Sequence, residues 1–320
     1  MACAAATATC RNRDILRVIF DFQRGIPKEL VDLAPFHLLH AHSWLLADLL
    51  TVDAHVARFH AAFDPWLTQH DAHAPAALAR LCQFWPSMVA TILVHAAVTG
   101  NVPILRLLLA THKDAAGDVP RLASDLAARH GHLDGLRVLL AAGQTCTARA
   151  IDLASDAGHL HVVEFLHAAD MGASTDAMDR AAANGHLDVV RFLHLHRAEG
   201  CTTAAMNSAA RHGHMDVVRF LHHHRHEGGT SLALDWAAKY GHLEMVKFLH
   251  AHRYEGCTTK AMDGAIVQGH VEVVQFLHDH RTEGCTANAL DRLVRDHLFY
   301  YLHLPMTQFL LAHGYKLKLV

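Results

Sequence analysis

The chain has 320 residues, of which 52% are hydrophobic and 18% charged, and its formal net charge is -3 with the histidines neutral. This composition supports a substantial core, and no apolar stretch reaches the 18 or more residues of a membrane span. Seven cysteines without a CxxC pair indicate free thiols in a reducing compartment. We therefore expect a cytoplasmic protein, with the nucleus as the alternative, and no membrane partner.

The first part of the chain shows no regular period. Residues 1–12 are rich in Ala and Thr and predict a flexible tail. Residues 13–86 contain apolar runs such as DILRVIFDFQRG and AHVARFHAAF, and prolines divide these runs into short helices. We interpret residues 13–86 as a small helical N-terminal capping region that covers the start of the regular segment behind it.

The rest of the chain, residues 87–320, is repetitive. Six Gly-His dipeptides follow one another at intervals of 27 or 28 residues, and their glycines are Gly131, Gly158, Gly185, Gly213, Gly241 and Gly269. A constant period in this range is typical of stacked repeats, each too small to bury its own apolar face. We expect about eight repeats, with degenerate ones at both ends.

Each repeat predicts two helices joined at the glycine. In the copy from Thr202 to Gly228 the first helix is expected over Ala204–Arg211 and the second over MDVVRFLH, whose apolar positions have helical spacing. The glycine ends the first helix, where positive φ is common and strains any other residue. We expect these N-caps of the first helices: Thr175, Thr203, Ser231 and Thr259. Asp179, Asp235 and Asp263 are predicted in the first turns, near the positive end of the helix dipole.

The segment AMDRAAANGHLDVVRFL and its sister copies resemble the ankyrin repeat pattern TPLHxAAxxGHxxVVxxLL. Each copy is about five residues shorter than the common form of 33 residues, and T-x-x-A-M-D replaces TPLH, so the array resembles a short, histidine-rich variety. The resemblance implies an all-α, ankyrin-like helix-turn-helix solenoid. It also implies a non-enzymatic scaffold, a monomer that binds a protein partner along its concave face.

In such arrays the exposed positions of the first helices and the loops contact the partner, and here these positions vary between copies. The candidate partner-binding residues are Arg180, Asn184, Ser208, Arg211, His212, Trp236, Lys239, Tyr240 and Gln268. Trp236 and Tyr240 lie four residues apart on one helix face, as paired interface anchors do. The alternative is that Trp236 only covers the junction with the next repeat.

Histidine is the anomaly of the composition, with 32 copies. The H-x-H pairs, such as His222/His224, raise the question of metal binding, but residues two apart on a helix point to different sides. Equivalent histidines of neighbouring repeats should lie about 10 Å apart, too far for one ion. We therefore predict no metal site and no cofactor, and we interpret the histidines as solvated or helix-terminal. Full protonation would raise the net charge to +29, which suggests loosening below about pH 6.

Catalytic and nucleic-acid signals are weak. The chain has no GxSxG, GxxxxGK or HExxH motif, so we predict that it is not an enzyme. Each arginine of the ladder at Arg197, Arg225, Arg253 and Arg281 is followed by a glutamate two residues later, so no basic stripe for nucleic acid forms. Two alternatives to the scaffold stay open. DILRVIFDFQRGIPKELVDLA is distantly similar to an F-box, which would make the protein a ubiquitin-ligase substrate receptor, and the histidines suggest a metal- or pH-responsive protein.

Overall fold

The computed structural model describes residue 33 and residues 49–69, 74–112, 119–289 and 304–315. The predicted tail and the F-box-like segment lie outside the described residues, apart from Leu33. The described part of the chain is helical and contains no strand, which confirms the all-α prediction. The chain divides into two compact units, an N-terminal unit of residues 1–150 and a C-terminal unit of residues 151–320.

Two helices in the described part of the N-terminal unit pack against the first regular helix. The helices of this unit are α1 (Leu49–Gln69), α2 (Ala74–Phe84), α3 (Met88–Thr99), α4 (Val102–Thr111), α5 (Val119–Arg129) and α6 (Leu133–Ala141), and α7 (Arg149–Asp156) begins at its end. Both α1 and α2 contact α3, and Phe59, Phe63 and Leu81 are fully buried with Met88 and Ile92. Apolar side chains of α1 and α2 thus cover part of α3, the first regular helix.

The C-terminal unit consists of helix pairs. Its helices are α8 (Leu160–Ala168), α9 (Thr175–Ala183), α10 (Leu187–His196), α11 (Thr203–His212), α12 (Met215–His224), α13 (Ser231–Lys239), α14 (Leu243–His252), α15 (Thr259–Gln268), α16 (Val271–His280) and α17 (Leu304–Ala312). The first helices α9, α11, α13 and α15 pack in sequence, and the second helices do the same on their own side. Buried alanines such as Ala209 and Ala210 bring the first helices close together, whereas Val217, Val218 and Leu221 supply the bulk of the second layer.

The glycine between the two helices serves two purposes. Gly185 and Gly213 both have φ of +78°, which only glycine adopts without strain. The histidine ring of the following repeat also lies directly on the glycine. A Cβ added to Gly185 would stand 2.5 Å from Nδ1 of His214, and one added to Gly213 would meet His242. In the N-terminal unit His132 covers Gly100 in the same way. The absence of a side chain therefore makes room for the next repeat.

This double role predicts unequal costs for two Gly→Ala substitutions. Gly143 has φ of +79° but an added Cβ would have no atom within 4 Å, so G143A should cost only the backbone strain of about 1 kcal/mol. G185A should cost about 1–3 kcal/mol more, because the His214 ring must move. Urea denaturation of both variants measures the difference. Equal shifts of the two midpoints would show that the ring contact has no energetic weight.

The first helices begin one residue earlier than the sequence analysis expected. Their N-caps are Ser174, Thr202, Thr230 and Thr258, whose hydroxyls accept the backbone N–H two residues on, so the prediction of Thr175, Thr203, Ser231 and Thr259 was wrong. Each copy has two adjacent hydroxyl residues, and the first of them takes the cap position. Its extended backbone conformation is the one an N-cap needs.

The prediction that the aspartates lie in the first turns of their helices was also wrong. They lie further along and accept hydrogen bonds from the next repeat. Oδ1 and Oδ2 of Asp235 accept the backbone N–H and the hydroxyl of Thr258, at 2.7 and 2.8 Å. Asp179 does the same for Thr202, at 2.8 and 2.6 Å. These residues lie in the middle of their helices, so they do not compensate the helix dipole. We call this bidentate contact the carboxylate bridge.

One repeat replaces the carboxylate by an amide and keeps the geometry. Oδ1 of Asn207 accepts the N–H of Thr230 at 2.9 Å, while its Nδ2 donates to the hydroxyl at 3.1 Å. The side chains of Asn207 and Asp235 are both buried. The position therefore requires two polar atoms of the right shape, and a negative charge is dispensable.

This comparison predicts the outcome of two substitutions at Asp235. D235A removes both acceptors and leaves the partly buried Thr258 N–H without its partner, so it should lower the free energy of unfolding by about 2 kcal/mol. D235N should cost much less, because asparagine already fills this position at Asn207. Urea denaturation followed by circular dichroism compares them. If D235A is as stable as the parent, the carboxylate bridge does not contribute to the free energy of unfolding.

Candidate protein-binding surface

The exposed face of the first helices carries an aromatic cluster that spans two repeats. The guanidinium carbon of Arg211, near the end of α11, lies 5.4 Å from the ring centre of Trp236 and 5.3 Å from that of Tyr240. The ammonium of Lys239 stands 5.6 Å from the Tyr240 ring. Trp236 is half-buried, and Tyr240 is 40% exposed. The cations hold both rings in place while leaving part of the aromatic surface accessible.

A groove of about 860 Å³ runs beside this cluster. Leu232, Trp236 and Lys239 of α13 form one side, and Gly264 and Val267 of α15 lie among the residues opposite. A Cβ on Gly264 would stand 2.7 Å from Cβ of Lys239, so the two helices approach as closely as their backbones allow. Because Gly264 has no side chain, the groove is open beside the tryptophan.

Two lysines and two aspartates line the groove, and the lysines are the more exposed pair. Lys239 and Lys260 are exposed at its edges. The carboxylates of Asp235 and Asp263 are engaged in carboxylate bridges with Thr258 and Thr286. Burial raises the pKa of Asp235, although its hydrogen bonds with Thr258 oppose the shift. A ligand in the groove would therefore meet two ammonium groups and two carboxylates whose acceptor positions are already in use.

The structure brings together five of the candidate residues and separates the others. Arg211, Trp236, Lys239 and Tyr240 form the aromatic cluster, and Gln268 lines the groove beside it. The remaining four candidates are Arg180, Asn184, Ser208 and His212.

Those four candidates lie outside the groove. Asn184 donates to the backbone carbonyl and the carboxylate of Asp156, and His212 contacts the carbonyl of Ala183 at 2.8 Å. Both therefore join neighbouring repeats. Arg180 forms an exposed ion pair with Asp176, and Ser208 is half-buried.

Sequence reasoning missed part of the groove. Leu232 and Lys260 occupy early positions of their first helices, and Asn288 belongs to the following repeat, so none falls in the positions just before a glycine. Their variation between copies is the signal that could have found them, since Lys260 replaces Ala204 and Leu232 replaces Asp176. The relevant surface extends over more of each helix than the end near the glycine.

The helix pairs match a known family. The family model described as ankyrin repeats (3 copies) matches residues 178–263 and again residues 206–291. These repeats are ankyrin repeats. The predicted family is thereby confirmed, and ankyrin repeats are generally protein–protein interaction modules of a family that is typically non-enzymatic. No curated protein matches the chain. In the described part of the protein, no helix combines the length and apolar character needed to cross a membrane.

The histidines of the ankyrin repeats have structural roles that the sequence analysis missed. The histidine after each glycine folds back over the preceding repeat. Nε2 of His242 lies 3.0 Å from the Arg211 carbonyl, and Nε2 of His186 lies 3.2 Å from the Asp156 carbonyl. These rings thus connect consecutive repeats, in addition to standing at the start of the second helix.

A second set of histidines forms an aromatic ladder along the second helices. His194 meets Phe220 edge to face at 5.5 Å and His224 at 5.8 Å, while Phe220 and His224 stack at 4.4 Å. The same triplet recurs as His222, Phe248 and His252, and as His250, Phe276 and His280. The Nδ1 atoms of His194, His222 and His250 are buried without a hydrogen-bond partner. The ladder therefore excludes water from one imidazole nitrogen in each step.

The loops after the second helices carry the arginine–glutamate pairs. Arg225 and Glu227 form an ion pair, and the Arg225 guanidinium covers Gly200 of the preceding repeat. Burial alone would raise the pKa of Glu227, but hydrogen bonds from Arg225 and from backbone N–H groups hold it at about 2. Burial raises the pKa of the Cys201 thiol beside them to about 11, so this cysteine is protonated at neutral pH. The four arginines of the ladder are thus each paired with a glutamate, as their spacing in the sequence suggested.

The aromatic ladder of histidines and phenylalanines predicts that the protein loses stability in acid. Burial lowers the pKa of His194, as do Arg225 and His224, whereas Glu227 opposes the shift, and the pKa values of His222 and His250 are lowered in the same way. A histidine whose pKa is lower in the folded state is protonated more readily in the unfolded state. Stability should therefore fall as the pH drops through about 6.5, the unfolded value.

We expect the melting temperature to fall by several degrees between pH 7.5 and pH 5.5, measured by circular dichroism. The H194L/H222L/H250L variant should lose part of this pH dependence, because it removes the three buried imidazoles. H226A changes an exposed histidine in the loop after the helix of His222 and is the control. A melting temperature that stays constant over this range would contradict the prediction.

Proposed function

We propose that this protein binds a protein partner on the first-helix face of its ankyrin repeats, centred on Trp236. The observation that carries the proposal is the aromatic cluster beside an open groove, with Trp236 and Tyr240 held under Arg211. Aromatic side chains that are already immobilised lose little conformational entropy on binding, which is why such residues anchor interfaces. The protein would act as a non-enzymatic, monomeric scaffold in the cytoplasm, with neither nucleic acid nor membrane as its ligand.

The chemistry of the groove favours an acidic partner segment. Lys239 and Lys260 offer ammonium groups at its edges, and the buried carboxylate of Asp235 already accepts two hydrogen bonds from Thr258. Leu232 and Val267 provide apolar surface between the charges. The matching ligand is a peptide segment that places an apolar side chain against Trp236 and carboxylates beside the two lysines.

Trp236 can stabilise the junction between repeats and also contact a partner. Its ring touches Arg211 of the preceding repeat and lines the groove toward the following one. The two roles make different predictions for substitution. A junction role predicts a loss of stability, whereas an anchor role predicts a loss of binding in a protein that is still folded.

The test is affinity capture from the source cell with the full chain as bait. W236A/Y240A removes the anchor, K239E/K260E reverses the charge, and K247A changes an exposed lysine on a second helix as the control. We expect one set of proteins to be retained by the parent and by K247A, and at least about tenfold less by the other two variants. The affinity for proteins that K239E/K260E fails to capture should also fall as the salt concentration rises.

Partners that bind all four proteins equally would reject this surface. Circular dichroism melts of the same variants separate folding from binding. If the W236A/Y240A variant has the melting temperature of the parent and fails to bind, the result supports the anchor role. If the variant is less stable than the parent but still binds at a low temperature at which it is folded, Trp236 only stabilises the junction. That result would overturn the proposal.

A further inference from the structure

Three side chains that can bind a metal converge in the N-terminal unit. His60 and Asp64 lie one turn apart on α1, and His95 lies on α3, which packs against α1. Nδ1 of His60 stands 3.1 Å from Nε2 of His95 and 3.1 Å from Oδ2 of Asp64. Nε2 of His95 is 3.5 Å from Oδ1 of Asp64. The three side chains therefore face one point.

These separations match the edges of a metal coordination polyhedron. Zinc binds histidine nitrogen and carboxylate oxygen at about 2.0–2.2 Å, so tetrahedral donors lie about 3.3–3.6 Å from one another. The three contacts fall close to this range, but Asp64 makes its two contacts through different oxygens. With one donor atom per residue, all three atoms lie within 4.8 Å of one another. A cation could be bound by small adjustments of side chains that are already in place.

Hydrogen bonds alone do not satisfy the two ring nitrogens and the two carboxylate oxygens that face one another. If only one of the two ring nitrogens carries a proton, then one pair of facing atoms consists of two lone pairs. If both carry protons and donate to Asp64, the two N–H groups point at each other across 3.1 Å. While Asp64 is ionised, every arrangement of protons on the two rings leaves at least one of the three contacts repulsive. A bound cation makes all three favourable.

His95 is suited to be a neutral ligand. It is 2% exposed, and its ring lies edge to face with Phe59 at 5.3 Å and Phe63 at 5.2 Å. Burial lowers the pKa of His95 to about 4, with Asp64 opposing this shift and His60 adding to it. The ring is therefore unprotonated at neutral pH and held rigidly, with Nε2 directed at the other two side chains. His60 and Asp64 are about half exposed, so the site is open to an ion from solvent.

We propose that His60, Asp64 and His95 form a binding site for a divalent transition metal of the zinc class, with the remaining coordination positions open to water. Two nitrogens and one oxygen suit zinc and exclude magnesium and calcium, which prefer oxygen ligands alone. The site differs from the H-x-H pairs of the repeats, for which the sequence predicts no metal. It joins the helix that caps the array to the first regular helix.

The experiment is a titration of the untagged full chain with Co²⁺, whose visible absorption reports its coordination, followed by displacement with Zn²⁺. We expect one tight equivalent. H60A and D64N should weaken it at least about 100-fold, because each removes a direct ligand from an exposed position. H223A/H226A alters two exposed histidines in the densest histidine cluster of the repeats and should leave the tight equivalent unchanged.

A rise in the melting temperature with one equivalent of Zn²⁺ is the second readout, and it should vanish in H60A and D64N. Circular dichroism of the metal-free variants verifies that both are folded. Two outcomes would overturn the proposal. One is the absence of a tight equivalent in the parent protein, and the other is a tight equivalent that H60A and D64N retain but H223A/H226A loses.

Discussion

The repeats of this protein depend on one constraint, which is that a helix pair of 27 or 28 residues cannot bury its apolar faces by itself. The polar groups of a repeat likewise need hydrogen-bond partners from its neighbour. The N–H and hydroxyl of Thr258 find their acceptors in Asp235 of the preceding repeat, and the imidazole of His242 finds its carbonyl at Arg211. Apolar packing, caps and turns are thus all completed by the neighbouring repeat, so cohesion in the C-terminal unit passes from one helix pair to the next.

This arrangement leaves one face of the first helices free to vary. The contacts between repeats use the buried alanines, the aspartate in the middle of the helix and the turn histidine. The positions that carry Trp236 and Lys239 are outside that set, so they can change while the stack keeps its contacts. The contacts that stabilise the stack and the exposed variable positions therefore lie on different sides of the same short helix, a division that suits a family of interaction modules.

The sequence predicted the parts of the fold whose signal is local. The helix boundaries followed from apolar spacing, and the turn at Gly213 from the constant Gly-His period. Contacts over longer distances were missed. Asp235 was interpreted through its own helix, because nothing in the local pattern shows that its partner is Thr258, 23 residues later. The N-cap was misplaced by one residue because two hydroxyl residues stand side by side.

The same reasoning explains the candidate sites. Trp236 and Tyr240 were predicted as a pair because they share one helix, but the cation above them belongs to the preceding repeat. The contact of His60 and Asp64 with His95 joins two helices of a region without a period, so no repeat could reveal it. Sequence patterns here identify residues on one element, and the structure supplies the partners from other elements.

The position of Trp236 explains why the surface is centred on one repeat. Ser208 and Gly264 occupy the equivalent positions in the adjacent repeats, so one large ring stands between two small residues. Gly264 allows α15 to approach Lys239 closely and leaves space in front of the tryptophan. A large residue at position 264 would fill that space and narrow the groove. The groove therefore depends on a contrast in size between consecutive repeats, which an array of identical copies could not provide.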